Sequence, residues 1–160
     1  MTDPFRPLKD AFGRFATGVA VVSCQVEGEP SMAITVNSFT SVSLTPPLVL
    51  WCLETKASAY EAFMAADGYA ISVLNKSGEG LSNRFAQHNP EPMSADESEI
   101  WETGAPLLRE RIAGFDCKIV DRHRSGDHII LVGEVLKYDS KAGAPLLYFA
   151  SNYAEGPSPL

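Results

Sequence analysis

A short segment near residue 35 carries small and polar side chains on one face. Over residues 32–37, apolar Met, Ile and Val alternate with Ala33, Thr35 and Asn37, which is the two-residue period of a β-strand. This second face is too hydrophilic for a core and too regular for a loop. It suits a flat polar ligand that lies against the backbone.

Three side chains further along have the chemistry to bind an anion. Lys56 and Ser58 lie two residues apart, and Ser58 with Glu61 has the spacing of a helical capping box. A hydroxyl, the N–H groups of a helix start and a cation together suit a phosphate. Arg84 adds a bidentate guanidinium from a second predicted helix. The alternative stays open that Ser58 merely caps its helix and that the two cations are surface charges.

His128 is the histidine with the most informative context, because it follows Gly126-Asp127 at a predicted hairpin turn. It is either a positioned functional group at the start of a strand or an ordinary surface residue. His88 and His123 have no comparable context. The three cysteines form no C-x-x-C and the histidines no H-x-x-x-H, so we predict no metal site.

Known nucleotide-binding motifs are not matched. Gly78-Glu-Gly80 lacks the third glycine of a dinucleotide fingerprint, and Gly13 to Gly18 has the glycine spacing of a P-loop without the following lysine. A nicotinamide nucleotide would therefore bind without a dedicated domain, as a transient substrate.

The hydrophobic pattern predicts many strands and few helices. Helices are expected over residues 5–16, from Ser58 onward and over 77–87; strands are expected over 19–26, 32–36, 48–53, 68–74, 115–122, 129–138 and 146–150. The strand 48–53 is nearly all apolar, so we expect it to be buried on both faces. Residues 88–104 are expected to form an exposed excursion and 155–160 a frayed tail. Antiparallel hairpins in this number favour a closed or partly closed barrel.

Composition predicts one domain over residues 1–160, with 45% hydrophobic and 21% charged residues. The net charge of −7 argues against nucleic acid as a partner, because phosphate backbones need a basic face. No apolar run approaches the roughly 20 residues that span a bilayer. The first residues lack the pattern of a signal peptide. We therefore expect a cytoplasmic protein with no membrane partner.

The segment from Thr35 to Leu50 resembles the TxNSFxSxSxxPPLVL signature of the flavin reductase-like domain family. Three more stretches are similar to hallmarks of that family: Lys56-Ala-Ser58, Arg84-Phe-Ala86, and Gly126-Asp-His128 with its following strand. The resemblance implies a mainly β fold, namely an FMN-binding split β-barrel with peripheral helices, assembled as a homodimer.

The same resemblance implies an activity. It is that of an NAD(P)H:flavin oxidoreductase, which transfers a hydride from NADH or NADPH to FMN or FAD. The reduced flavin would then serve a partner flavin-dependent monooxygenase. Two alternatives remain open: a flavin-binding electron carrier that turns over no nicotinamide, and a reductase that acts on a bound corrinoid.

The resemblance also implies which residues form the site. His128 would position the nicotinamide near the open face of the flavin. The residues implied to contact the flavin are Ala33, Thr35, Val36, Asn37, Ser38, Cys52, Leu53, Lys56, Ser58, Arg84 and Phe85.

Overall fold

Over residues 2–158, which the computed structural model describes, the chain forms three short helices and twelve strands. The helices are α1 (Arg6–Phe12), α2 (Tyr60–Ala65) and α3 (Glu79–Phe85). The strands are β1 (Thr17–Gly18), β2 (Ala20–Cys24), β3 (Met32–Val36), β4 (Thr40–Leu44), β5 (Pro47–Glu54), β6 (Gly68–Val73), β7 (Ser98–Ile100), β8 (Pro106–Leu108), β9 (Ala113–Ser125), β10 (His128–Ser140), β11 (Leu146–Phe149) and β12 (Asn152–Glu155). None of the described helices has the length and apolar character needed to cross a membrane.

Seven strands form the main sheet, in the order β3-β2-β6-β9-β10-β5-β4, and every neighbouring pair is antiparallel. Strands β3 and β4 lie at opposite edges of this sheet, although only residues 37–39 separate them in the chain. So short a link can join the two edges only if the sheet curls round to bring them together. The predicted mainly β class with barrel-like curvature is therefore confirmed.

Three aromatic side chains form the centre of the barrel core. Trp51, Phe63 and Tyr69 are each fully buried, and Trp51 packs edge-on against both rings, with centroid distances of 4.8 Å to Phe63 and 5.7 Å to Tyr69. The Tyr69 hydroxyl donates a hydrogen bond to the main-chain oxygen of Leu131, 3.2 Å away. The phenol thus lies directly against the backbone of β10. Gly133 leaves room for it, because a Cβ at that position would lie 2.3 Å from the hydroxyl oxygen.

A separate three-stranded sheet joins the two ends of the chain, in the order β1-β11-β12. Helix α1 attaches to it through one main-chain hydrogen bond from Ala150 to Gly13 (2.9 Å). No residue of α1 is buried. Its predicted apolar face, with Phe5, Phe12 and Phe15 around it, is instead exposed to solvent in the single chain.

Two predictions about helix ends are wrong. The first helix ends at Phe12 instead of residue 16, and Thr17-Gly18, directly after the expected helix, forms strand β1 opposite Tyr148 and Leu147. The pairing with a strand near the other end of the chain overrides the local helical pattern. Ser58 does not cap α2, because the N-cap residue is Ala59 and no side chain caps that helix. The helix is only six residues long and begins at Tyr60, one residue later than a capping box from Ser58 to Glu61 requires.

Burial of β5 on both faces is also wrong for the single chain. Val49, Trp51 and Leu53 are buried, whereas the alternate residues Leu48, Leu50 and Cys52 are half-exposed. Five strands were not predicted: β1, β4, β12, and the two strands of the β7–β8 pair, of which β7 lies inside the expected excursion. Residues 155–160 were expected to form a frayed tail. Glu155 is instead the last residue of β12, and residues 159–160 lie outside the described part of the chain.

We predict that Gly133→Ala lowers the free energy of unfolding by about 1–3 kcal/mol, because a methyl group there overlaps the Tyr69 hydroxyl and overpacks the core. Urea unfolding monitored by tryptophan fluorescence measures this. Gly80→Ala is the matched control, since nothing lies within 4 Å of its added methyl and alanine favours the helix. Equal stability of the two variants would show that the core accommodates the methyl.

Candidate functional site

The polar end of β3 opens onto a cavity of about 440 Å³. The walls are contributed by β1, by the start of β2, and by the residues that link β3 to β4. Among the lining residues are Thr17, Asn37 and Ser38. The Thr17 hydroxyl oxygen is buried and has no hydrogen-bond partner among residues 2–158. A buried hydroxyl without a partner costs free energy unless a ligand or water supplies one, so this cavity suits a ligand with polar edges.

A smaller cavity of about 200 Å³ adjoins the first, and the two share Val19, Val36 and Asn37 as lining residues. Its other walls come from α3 and from the β11–β12 hairpin, which contribute Ser82 and Tyr153. Val36 and Asn37 therefore lie between the two adjacent cavities. A ligand with a flat ring and a polar extension fits such a pair better than a compact ligand.

Ser38 connects the two halves of the site. Its hydroxyl oxygen accepts a hydrogen bond from the Cys52 N–H (2.9 Å) and lies 3.3 Å from the Cys52 carbonyl oxygen, to which it donates. The structure thus brings together the predicted residues at the end of β3 and those of β5. Burial raises the pKa of the Cys52 thiol, so this cysteine stays protonated at neutral pH and is not a reactive thiolate.

Lys56 and His128 also come close to each other, around Asp127. The Asp127 main-chain oxygen accepts hydrogen bonds from both the N–H and the hydroxyl of Thr55 (2.9 and 3.1 Å). The His128 Nδ1 lies 2.7 Å from the Asp127 carboxylate, and this hydrogen bond, with the charges of His128 and Lys56, lowers the pKa of Asp127. Because a carboxylate only accepts, Nδ1 carries the proton and Nε2 is the nitrogen available to a ligand.

The register of β5 against β10 relates these two groups. His128 lies opposite Glu54, two residues beyond Cys52, or about 7 Å along the strand. The Ser38–Cys52 contact and the His128 imidazole therefore lie at the same end of one antiparallel strand pair. A ligand of cofactor size spans that separation.

Ser58 and Arg84 already have partners within the protein. The Ser58 hydroxyl accepts a hydrogen bond from the main-chain N–H of Asn89 (3.2 Å). Arg84 donates to the Glu97 carboxylate (2.8 Å) and to the main-chain oxygens of Glu91 and Pro92. This bond from Arg84 lowers the pKa of Glu97. Both residues thus fasten the segment after α3 to the barrel.

Three of the predicted contact residues have buried side chains. Ala33 and Phe85 belong to one core cluster, and Leu53 belongs to the main barrel core. Their side chains are therefore packed in the core of the single chain and are not exposed to a ligand. Lys56, in contrast, is exposed.

The fold and these cavities can be compared with known proteins. The family model described as "Flavin reductase like domain" matches residues 12–157. This chain belongs to the flavin reductase-like domain family. The predicted family, fold class and oxidoreductase class are thereby confirmed.

Relatives of this flavin reductase-like chain carry names that agree with the family. It is 41% identical over 143 residues to "FMN reductase (NADH) SmoA" of Agrobacterium fabrum, covering 89% of this chain and 81% of that protein. It is 38% identical over 151 residues to a "Probable flavin reductase" of Rhizobium meliloti, covering 94% of this chain but only 48% of that protein. The chain thus spans about half the length of the second relative.

Solved structures agree with the sequence relatives. The NADH:FAD oxidoreductase SgcE6 of Streptomyces globisporus C-1027, in complex with NAD and FAD fragments, superposes with a TM-score of 0.86 at 35% identity, covering 96% of this chain and 94% of that chain. Other relatives are named as reductase components of monooxygenases. The expected flavin and nicotinamide cofactors are therefore those of the family.

Sequence reasoning missed several residues that line the cavities of this flavin reductase-like domain. Thr17 was assigned to a helix end, Ser82 carried no motif, and Tyr153 lay in a strand that was not predicted. Only the alternation in Asn152–Glu155, where the one aromatic side chain is Tyr153, was available as a signal for β12.

We predict that Ser38→Ala lowers the free energy of unfolding by about 1–3 kcal/mol, because the half-buried Cys52 N–H loses its partner. The same change should weaken flavin binding, since the strand end is no longer tied to β5. Chemical denaturation and a fluorescence titration with FMN measure the two effects. Ser41→Ala is the control, because Ser41 is exposed in the neighbouring strand β4. If Ser38→Ala is as stable as the wild type, the Ser38–Cys52 contact does not contribute to closing the barrel.

Proposed function

We propose that this protein is an NADH-dependent flavin reductase, which oxidises NADH and reduces FMN or FAD. One observation of the structure carries this proposal. The polar end of β3 opens onto two adjacent cavities, and the larger one is lined by Thr17, whose buried hydroxyl has no partner among the described residues. The family and the names of its relatives support the same activity.

The flavin supplies a ring that accepts a hydride and a proton. Around it, Thr17 and Asn37 provide polar groups for the ring edge, and the main chain at the end of β3 provides a flat surface. Lys56 provides positive charge for the phosphate. Arg84 is already paired with Glu97, so its contribution to phosphate binding requires that it share or exchange that partner.

His128 is proposed to orient the nicotinamide. The Asp127 carboxylate binds Nδ1 of the ring at the start of β10. Nε2 is therefore the ring nitrogen that remains for the nicotinamide nucleotide. Hydride transfer depends first on stacking and orientation of the two rings. In the overall reaction NADH loses a hydride and becomes NAD⁺, while the flavin takes up that hydride and one proton from solvent.

The half-exposed face of β5 supports a homodimer. Leu48, Leu50 and Cys52 lie beside Ile130 and Val132 of the paired strand β10, and all five are half-exposed in the single chain. Strands that read as continuous apolar runs are normally buried on both faces. A second copy of this chain placed on this apolar strip would bury it and would stand next to Ser38.

The reduced flavin is proposed to serve a separate flavin-dependent monooxygenase. The support is that relatives include the reductase component of a trigonelline monooxygenase and the flavin reductase of a styrene monooxygenase. Asn37, which lines both cavities, is exposed, so a reduced flavin has a route to solvent there.

We predict that the purified protein oxidises NADH in the presence of FMN or FAD, and that His128→Ala raises the KM for NADH at least about tenfold, equivalent to about 1.4 kcal/mol of positioning. Flavin affinity should change less than about threefold, because the imidazole acts on the other substrate. Steady-state and stopped-flow kinetics measure both. His123→Ala is the control, since it removes an exposed imidazole from the neighbouring strand β9. If wild-type protein binds flavin but oxidises no NADH, the activity is that of an electron carrier instead.

We predict that Leu50→Lys converts a dimer into a monomer, because it places a charge in the centre of the apolar strip. Sedimentation equilibrium at micromolar concentration measures the mass. Ile100→Lys is the control, since Ile100 is an exposed apolar residue of β7, outside the strip. A wild-type protein with the mass of one chain, with flavin bound, would exclude a site shared between copies.

A further inference from the structure

We propose that Tyr153 is a positioning residue for the flavin, acting through Ser82 on Thr35 and the strand end that receives the ring. This inference rests on the proposed function, because it concerns the same ligand. It concerns three residues from three separate elements, β3, α3 and β12. Neither Ser82 nor Tyr153 belongs to the residues that the resemblance assigns to the site.

The contacts form a continuous chain. The Thr35 hydroxyl donates to the main-chain oxygen of Ser82 at 2.7 Å. The Ser82 hydroxyl is 2.7 Å from the Tyr153 hydroxyl, which in turn lies 3.2 Å from the Asn83 side-chain oxygen. Because Asn83 offers only an acceptor there, Tyr153 donates to it and accepts from Ser82. The polar face of β3 is thus tied to α3, and α3 to the last hairpin.

Burial makes this network significant. Ser82 is fully buried, and Thr35 and Tyr153 are half-buried. All three line the smaller cavity, together with Val36 and Asn37, which also line the larger one. Loss of these hydrogen bonds would therefore allow Val36 and Asn37 to move. Under the proposed function, these two residues lie beside the flavin. A buried polar network that is fully satisfied fixes one arrangement of the elements that carry it.

The hairpin that presents Tyr153 adopts an unfavourable backbone conformation. Ala150 and Ser151, the two residues between β11 and β12, have φ angles of 49° and 63°. Residues other than glycine rarely adopt this left-handed region, and they do so where the surrounding structure requires it. Here the Ala150 N–H is held by Gly13 and the Ala150 oxygen by the Asn152 side chain. These hydrogen bonds stabilise the tight turn, and the turn places Tyr153 against α3.

Tyr153→Phe tests the inference, because it removes the hydroxyl and keeps the ring. We expect the Kd for FMN or FAD to rise about three- to tenfold, the change that accompanies loss of one hydrogen bond. The KM for NADH at saturating flavin should not change, and the thermal midpoint should stay close to that of the wild type. Tyr138→Phe is the matched control, since Tyr138 is an exposed tyrosine of β10.

Two further variants separate positioning from general stability. Ser82→Ala should weaken flavin binding as much as Tyr153→Phe, and the double variant should be no worse than either, because both break the same bond. Thr35→Ser should retain the wild-type affinity, whereas Thr35→Val should lose it. If Tyr153→Phe fails to fold, Ser82→Ala alone decides the outcome.

Fluorescence titration with flavin alone needs no NADH, so it separates the two proposals. If the wild type binds flavin and both Tyr153→Phe and Ser82→Ala bind it within twofold, the positioning inference is overturned while the proposed function stands. If additive losses appear in the double variant, the residues act independently and the inference also fails. If the wild type binds neither FMN nor FAD, the proposed function fails and this inference with it.

Discussion

The hydrogen bonds between Ser38 and Cys52 tie the short link between the two edge strands of the main sheet to β5. A single hydroxyl accepts from the main-chain N–H of Cys52 and donates to its oxygen. The link after β3 therefore meets β5 through a side chain, beyond the main-chain pairing of β4 with β5, which reaches Thr40 and Leu50. This leaves the end of β3 free of strand pairing on one side, which is why polar groups there can face a cavity. The same contact fixes the distance from β3 to His128, because His128 follows from the register of β10 on β5.

Behind this opening the barrel core is filled by packed apolar and aromatic side chains. Trp51 and Leu53 alternate with Leu50 and Cys52 along β5, so the strand that reaches Ser38 is anchored in the aromatic core by its other face. Gly133 allows the Tyr69 phenol to lie against β10 without displacing it. Side chains that bind a ligand are held most precisely when the strands that carry them pack in this way.

Strands with a clear apolar alternation and a partner close in sequence were predictable. The hairpins β2–β3 and β9–β10 lie within a few residues of their predicted bounds, because the local pattern and the local pairing agree. Strand β4 was not predictable, since its Ser- and Thr-rich sequence resembles a loop and only its pairing with β5 orders it. Strand β1 pairs with β11, more than a hundred residues away, and no local window contains that information.

The candidate site also contains residues that the sequence predicts and residues that only the structure shows. Residues within motifs, such as Lys56, Ser58 and His128, could be named from the sequence, and in the structure both Lys56 and His128 interact with the Asp127 carboxylate. Their partners could not be named. Glu97 pairs with Arg84 across thirteen positions, and Tyr153 meets Ser82 across seventy-one. Such contacts depend on how the hairpins and helices pack, which the spacing of residues in the sequence does not encode.

The pairing of β1 with β11 has a consequence for how the protein is made. On the ribosome, the strands of the main sheet, which end at Ser140, emerge before Leu146–Glu155. Strand β1 must then remain unpaired until Leu147 and Tyr148 of β11 have been synthesised. One wall of the smaller cavity, with Tyr148 and Tyr153, is therefore completed last. A nascent chain can therefore form the barrel core before the walls of its candidate site are complete.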